Sequence, residues 1–402
     1  MNRKPFPWPD AILQRIVFYA DHGSEPSHHA VTVASKLRAH DNGSLKSLRL
    51  TSKAFCEAAT PSVFKCVAFF PAIGSSRVDM QGLMRIVNSG IAAYVKTLII
   101  RPMVTASVDD QWSQSARFAH ALPVCFAMFK NLSAIAIDGG VFLGINKQLK
   151  YSHTAPLLSS LRRSFVKALH SGLSNASLGS LKGLELDFPV LEGFFESFTE
   201  QNIFDHFSGV LCRLERLSVT VQFRHRVTSH GTQQFSCPDL QHQGRFWALI
   251  GLATNLRSLK IYSSNVLDLD NIPLSSLGRL EELDLCRVRC RTDTLIAMCF
   301  PRSASIKVLR LSEVRLITGI WADVFFRIKD IPTLAEFYAR SLTYDAPSPH
   351  FARILHPLNS CLEIPRRDDC DAIQELTKAV GQRQHLSKLR APYNESDGID
   401  DS

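Results

Sequence analysis

The sequence lacks the marks of several protein classes. No run of 18 apolar residues is free of charge, so a membrane-spanning helix is not expected. The N-terminus carries Arg3 and Lys4, but Pro5, Pro7, Pro9, Asp10, Gln14 and Arg15 interrupt any apolar core of a signal peptide, so export is not expected. The ten cysteines include no Cys-x-x-Cys, and Cys286 with Cys290 has no nearby histidine pair, so no metal site is expected. Without export, the thiols are expected to be reduced and mostly buried, in the cytoplasm, the nucleus or both. There is no Gly-x-x-x-x-Gly-Lys-Ser/Thr loop, no Gly-x-Ser-x-Gly elbow and no His-Glu-x-x-His pair. Neither a cofactor nor a catalytic residue is therefore expected. Asn394-Glu395-Ser396 is a sequon without consequence if the chain is not exported.

What is present fits a folded chain of more than one core. The 402 residues exceed one ordinary domain, and 45% are apolar against 21% charged. The formal net charge is +9. Acids are interspersed among the bases, which points away from nucleic acid and toward a protein partner.

Two apolar clusters open the chain. The first runs Trp8-Pro9-Asp10-Ala11-Ile12-Leu13-Gln14-Arg15-Ile16. Pro9 suits a first helical turn, and the apolar spacing makes one broad helical face. The second runs Leu45-Lys46-Ser47-Leu48-Arg49-Leu50-Thr51-Ser52-Lys53-Ala54-Phe55, then Ala59-Thr60-Pro61-Ser62-Val63-Phe64. Its spacing predicts one helix from Ser44 that Thr60-Pro61 breaks. Together the clusters resemble an F-box of the variant common in fungal proteins, over about residues 6–65. The resemblance implies a helical module that docks a Skp-type adaptor, and through it cullin and RING subunits. On that footing Pro9, Ile12, Leu13, Ile16, Leu45, Leu48, Ser52 and Phe55 are the adaptor-binding residues. Trp8-Pro9 stands where the family has Leu-Pro, and the segment between the helices is longer than is typical.

Behind this module an apolar-x-x-apolar-x-apolar template recurs. It occurs at Val95/Leu98/Ile100, Leu132/Ile135/Ile137, Leu181/Leu184/Leu186, Leu214/Leu217/Val219, Leu256/Leu259/Ile261, Leu280/Leu283/Leu285 and Ile306/Leu309/Leu311, with a degraded copy at Leu334/Phe337/Ala339. The last three intervals, 24, 26 and 28 residues, fall in the range of leucine-rich repeats; the earlier ones are longer. The last two anchors alternate about one residue, as a strand requires. Apolar stretches at 246–252 and 295–299 read as covering helices. A conventional α/β domain would share this alternation. The copies resemble irregular leucine-rich repeats, but the asparagine of that family is replaced by Met103, Gly140, Pro189, Gln222, Ser264, Val288 and Val314.

The fold expected is α/β: a small N-terminal helical F-box, residues 1–70, then an irregular leucine-rich-repeat solenoid, residues 71–365. Parallel strands would line its concave side with helices outside. Residues 366–402 are expected to hold a C-terminal helix over 371–390 and an acidic disordered tail. Strand alternation places Thr97, Ile99, Arg101, Glu185, Asp187, Arg216, Ser218, Lys260, Tyr262, Glu282, Asp284, Arg310 and Ser312 on the concave face. Arg101, Lys260, Tyr262 and Arg310 are candidates for holding a protein client. Arg287, Arg289 and Arg291 are expected to form a basic rim with Arg224, His225 and Arg226, suited to an acidic or phosphorylated segment. The function expected is the client-binding subunit of a cullin–RING ubiquitin ligase, without an active site of its own. The alternative is a repeat scaffold whose N-terminal helices only cap the array.

Overall fold

The structure is a computed structural model. It describes residues 12–13, 16, 43–69, 72–73, 80–101, 103–104, 122–138, 172–173, 178–190, 208–221, 226–227, 233–234, 240–300, 306–344 and 367–390. The chain forms two compact units, Met1–Ser236 with Leu252–Thr254, and Cys237–Gly251 with Asn255–Ser402.

The first unit opens, among the described residues, with helical positions at 12, 13 and 16. Helices α1 (Gly43–Arg49) and α2 (Lys53–Val63) follow. The single helix expected here is two, because the Ser52 hydroxyl accepts the Phe55 N–H and starts a new helix. Pro61 does not break α2, which continues to Val63. It lies in the last turn, where Thr60 Oγ1 donates to the Cys56 carbonyl and the Phe64 N–H to the Thr60 carbonyl. Leu45, Ala59 and Val63 form the buried core of this hairpin, with Leu48, Ala58 and Phe64 against it.

The strands of this unit are β1 (Cys66–Phe69), β2 (Ala72–Ile73), β3 (Thr97–Ile100), β4 (Met103–Val104), β5 (Ala134–Asp138), β6 (Gly183–Val190) and β7 (Arg216–Val221). A two-residue antiparallel pair, β8 (Arg226–Val227) with β9 (Gln233–Gln234), ends the series. Helix α3 (Met80–Val87) and helical residues 122–128 lie between strands. β1, β3, β5, β6 and β7 pair in parallel in that order. Their register aligns Val67, Leu98, Ile135, Leu184 and Leu217 in one row, and Phe69, Ile100, Ile137, Leu186 and Val219 in the next. All ten are buried. Each contributes about 1.5–3 kcal/mol relative to an exposed side chain.

The second unit repeats the scheme at shorter spacing. It comprises α4 (Leu240–Leu252), β10 (Ser258–Asp268), β11 (Glu282–Cys290), α5 (Thr292–Cys299), β12 (Val308–Ser312), β13 (Arg315–Leu316), α6 (Trp321–Lys329), β14 (Glu336–Arg340), β15 (Thr343–Tyr344) and α7 (Arg367–Arg390). β10, β11, β12 and β14 are parallel neighbours, and Leu259, Leu283, Leu309 and Phe337 share a row. Trp321 stacks on Phe325 at 5.4 Å between ring centres, and Phe325 meets Phe337 edge-on at 6.0 Å. Thus α6 is fastened to the sheet by aromatic packing.

All eight expected template copies are strands, and within each unit the pairing offsets equal their sequence intervals. β1 precedes them as a further strand of the same sheet. At the entrance of seven of the strands a backbone device recurs, in which one carbonyl accepts two successive N–H groups from the next repeat. The Lys65 carbonyl takes Lys96 and Thr97, Lys96 takes Ser133 and Ala134, Ser133 takes Lys182 and Gly183, and Lys182 takes Glu215 and Arg216. In the second unit Arg257 takes Glu281 and Glu282, Glu281 takes Lys307 and Val308, and Lys307 takes Ala335 and Glu336. Shared acceptance of this kind satisfies amides that a bend would otherwise leave unpaired.

At the strand exits of the second unit, Arg287, Glu313 and Ser341 take left-handed φ values of 58°, 54° and 50°. Each lies five residues beyond the first residue of its strand. The kink re-aims the chain into a second short ladder, in which Arg289 pairs with Arg315 and Arg315 with Thr343.

Helix α7 begins one turn earlier than expected and is built into the second unit. Asp369 accepts the Ala322 N–H and the Tyr344 hydroxyl, capping α6 from a distant part of the chain. Lys329 pairs with Glu375 at 2.8 Å, and the Gln384 side-chain amide donates to the Ala335 carbonyl. The expected acidic tail lies outside the described residues.

Candidate functional site

The polar face of the β10–β14 sheet gathers three of the seven expected client-binding residues, Lys260, Tyr262 and Arg310. Parallel register sets Lys260, Asp284, Arg310 and Tyr338 in one row, with Ser258, Glu282, Val308 and Glu336 in the row before it. These rows are cross-linked by charge. Lys260 Nζ lies 3.0 Å from Glu282 Oε1, and Arg310 Nη1 lies 2.9 Å from the same oxygen. Arg310 also reaches Glu336 through Nε at 2.9 Å and Nη2 at 2.6 Å. Ser258 Oγ donates to Glu282 Oε2 at 2.6 Å, and the Tyr262 hydroxyl to Asp284 Oδ2 at 2.8 Å. The expectation thus found the cations but not all of their partners. Glu336 and Ser258 were missed, although the 24-, 26- and 28-residue spacing places them in register.

Electrostatics differ along the network. Burial raises the Glu282 carboxyl, but the Ser258 hydrogen bond with Lys260 and Arg310 outweighs it, and the group is held below its usual range. For Asp284 burial dominates and the carboxyl is raised, despite Tyr262, Lys260 and Arg310. Burial, followed by the Asp284 charge, keeps the Tyr262 phenol protonated. Burial pushes the Cys286 thiol up to about 11, so it is a poor nucleophile at neutral pH. The face is a braced, charge-compensated platform.

At its edge Tyr338 is 44% exposed, and Arg340 is exposed as well. Both were missed as candidates, though alternation from Phe337 points them to this face. The corresponding rows in the first unit differ from expectation: Ile99 and Glu185 are buried there, so they are not part of a solvated face. Arg101 is half-buried and its N–H donates to the Phe69 carbonyl.

The expected basic rim is largely neutralised. Arg287 pairs with Glu313 at 2.7 Å, Arg289 with Asp268 at 3.2 Å and Arg291 with Asp270 at 3.3 Å. Each partner sits in a neighbouring repeat, 21 to 26 residues away. Arg224 and His225 lie outside the described residues.

The candidate adaptor residues separate into core and surface. Leu13 and Leu45 are buried; Ile16, Leu48 and Phe55 are half-buried; Ile12 is 42% exposed. Ser52 is the cap of α2, and Pro9 lies outside the described residues. Leu50, not expected to bind, is 88% exposed in the turn that Ser52 creates.

A groove of about 570 Å³ runs along α4, lined by Gly244, Trp247, Ala248, Gly251, Asn271 and Pro273. It carries no acid, base or nucleophile. Among the described residues, no three histidine, cysteine or acidic side chains converge as a metal site needs, and no helix is long and apolar enough to cross a membrane.

The sequence matches no protein-family model and no curated protein. Among solved structures it is similar to a protein of Bacteroides fragilis, at 10% identity and a TM-score of 0.26, over 75% of this chain and 69% of that one. It is also similar to an internalin of Listeria monocytogenes, at 12% identity and a TM-score of 0.21, over 70% and 95%. Neither likeness is close enough to assign a fold or an activity.

Proposed function

We propose that the chain is a non-catalytic interaction protein that holds a protein partner on the polar face of its β10–β14 sheet. The observation that carries this reading is the exposed pair Tyr338 and Arg340 beside the braced Lys260–Glu282–Arg310–Glu336 network. Tyrosine and arginine on a rigid support are the residue types that anchor interfaces at low entropic cost. The test is a photo-crosslinking residue in place of Tyr338, beside one in place of the exposed Met128 of the first unit. One discrete crosslinked protein at position 338, and none at 128, supports the reading; no discrete product at 338 overturns it.

The narrower reading is a client receptor of a cullin–RING ubiquitin ligase, working in the cytoplasm, the nucleus or both. Exposure of Leu50 and Ile12 favours it, because apolar side chains left in water suit a partner helix. Catalysis would then be by proximity alone: client on the sheet, adaptor on the helices, transfer by other subunits. Co-purification with a Skp-type adaptor, lost in folded Ile12→Asp and Leu50→Asp variants, supports it. Failure of the unaltered chain to bind leaves the helices as a cap on the array. That outcome would accord with α2 entering β1 through only Phe64 and Lys65.

A further inference from the structure

We infer that the segment captured on this sheet is carboxylate-rich and docks at the strand exits of the last two repeats, between Arg315 and Arg340. The inference rests on the reading of the sheet as a partner surface and adds the chemistry of what it takes.

Charge accounting along the exits leads there. Arg287, Arg289 and Arg291 each have a carboxylate from an adjacent repeat. The same register gives Arg315 no such partner. Its neighbours across the short ladder are Arg289 on one side and Thr343 on the other. Parallel strands stand about 4.8 Å apart, so two arginines share adjacent places in one outward row. Asp268 pairs with Arg289 at 3.2 Å and also accepts the Asp270 N–H. Arg340, on the strand beside β12, is exposed, and among the described residues neither it nor Arg315 has a carboxylate partner. The two cations lie at successive strand exits, where the Glu313 N–H donates to the Arg340 carbonyl, with Thr343 the register partner of Arg315.

The spacing selects the ligand. Arg340 precedes Thr343, the register partner of Arg315, by three residues, which is at most about 10 Å of extended chain. An extended peptide offers matching carboxylates from acids two or three positions apart.

The experiment uses the full chain and fluorescence anisotropy with labelled hexaglutamate, hexaglutamine and a ten-residue oligothymidylate. The variant is Arg315→Glu with Arg340→Glu. The control is Lys130→Glu with Arg213→Glu, two exposed cations of the first unit, which changes net charge equally. All four side chains are exposed, and thermal denaturation checks that both variants fold. Hexaglutamate binding is expected to weaken at least tenfold in the first variant and less than twofold in the control, with hexaglutamine not bound. Equal loss in both variants, absence of hexaglutamate binding, or tighter binding of the oligothymidylate overturns the inference. A Tyr338 crosslink together with any of these failures leaves the interaction surface standing and removes only its acidic ligand.

Discussion

Arg287 and Glu313 occupy the same left-handed kink in successive repeats, and their side chains join across it at 2.7 Å. A non-glycine residue in this region costs about 1–2 kcal/mol. The ion pair is half exposed, at 50% and 45%, and such pairs contribute about 0–1 kcal/mol after solvent screening. The pair therefore offsets only part of the kink's cost, and the packing on either side holds it.

Ser341 sits in the third kink and, among the described residues, makes no side-chain hydrogen bond there. Ser341→Gly is expected to raise stability by up to about 1 kcal/mol. A lower urea midpoint than the unaltered protein would contradict this.

Gly319 has φ 83°, and a Cβ there would lie 2.1 Å from Thr292 Oγ1. That hydroxyl donates to the Thr318 carbonyl at 2.8 Å, so it is not free to give way. Gly319→Ala is expected to cost about 2–3 kcal/mol. Gly90→Ala, where a Cβ meets nothing within 4 Å, should stay within about 0.5 kcal/mol in the same denaturation series.

Asp369 is fully buried and serves Ala322 and Tyr344 together. Asp369→Ala is expected to cost about 3 kcal/mol, because it leaves buried donors unsatisfied. Lys329→Ala removes a solvent-screened pair and should cost less than about 1 kcal/mol. Hydrogen exchange over α6 and α7 reads the difference: protection should fall in the first variant and persist in the second.

Glu282 and Asp284 should give opposite pH slopes. The Glu282 carboxyl lies below 4.5 in the folded chain, so its stabilisation is complete above that value and is lost as pH falls through the lower folded one. Asp284 lies above 3.8, so its ionisation weakens the fold as pH rises from 3.8 through the raised value. Glu282→Gln should destabilise at pH 7, with the effect fading below about pH 4.5. Asp284→Asn should flatten the opposing slope. Urea unfolding at a series of pH values distinguishes the two, and parallel slopes would refute the assignment.

Thiol labelling should follow burial. Cys212 is exposed, whereas Cys290 and Cys299 are buried and burial pushes Cys299 up to about 12. Among the described cysteines, iodoacetamide at pH 8 should modify Cys212 first and spare Cys290 and Cys299 until unfolding. Mass spectrometry of the labelled chain checks the order.

The repeat strands were legible because burial at alternate positions is a local signal. Leu283 and Leu285 declare a strand without help from elsewhere, and the spacing to Leu309 and Leu311 gives the register. The split at Ser52 was hidden because Leu45, Leu48 and Ala54 also suit one continuous helix, and only the cap decides between them. The Arg287, Arg289 and Arg291 cluster looked free because its neutralising acids lie 21 to 26 residues away. Asp369 gave no signal at all: its partner Ala322 is 47 residues distant, and a backbone N–H has no sequence signature. Contacts within a strand could be read; contacts between repeats needed the register first.

The shared carbonyl at these strand entrances gives the array a chemical direction. Within each unit, a repeat in this series offers one acceptor to its successor and takes one from its predecessor, so the two ends of a series have unlike needs. A first repeat must find a carbonyl for its amides, and a last repeat must find a donor for its carbonyl. The Gln384 amide meets the second need at Ala335, standing where the N–H groups of a further repeat would be. Because each module asks for what it also supplies, a unit copied into the middle would find both neighbours already compatible. The array can therefore lengthen internally while its two terminal solutions remain unchanged.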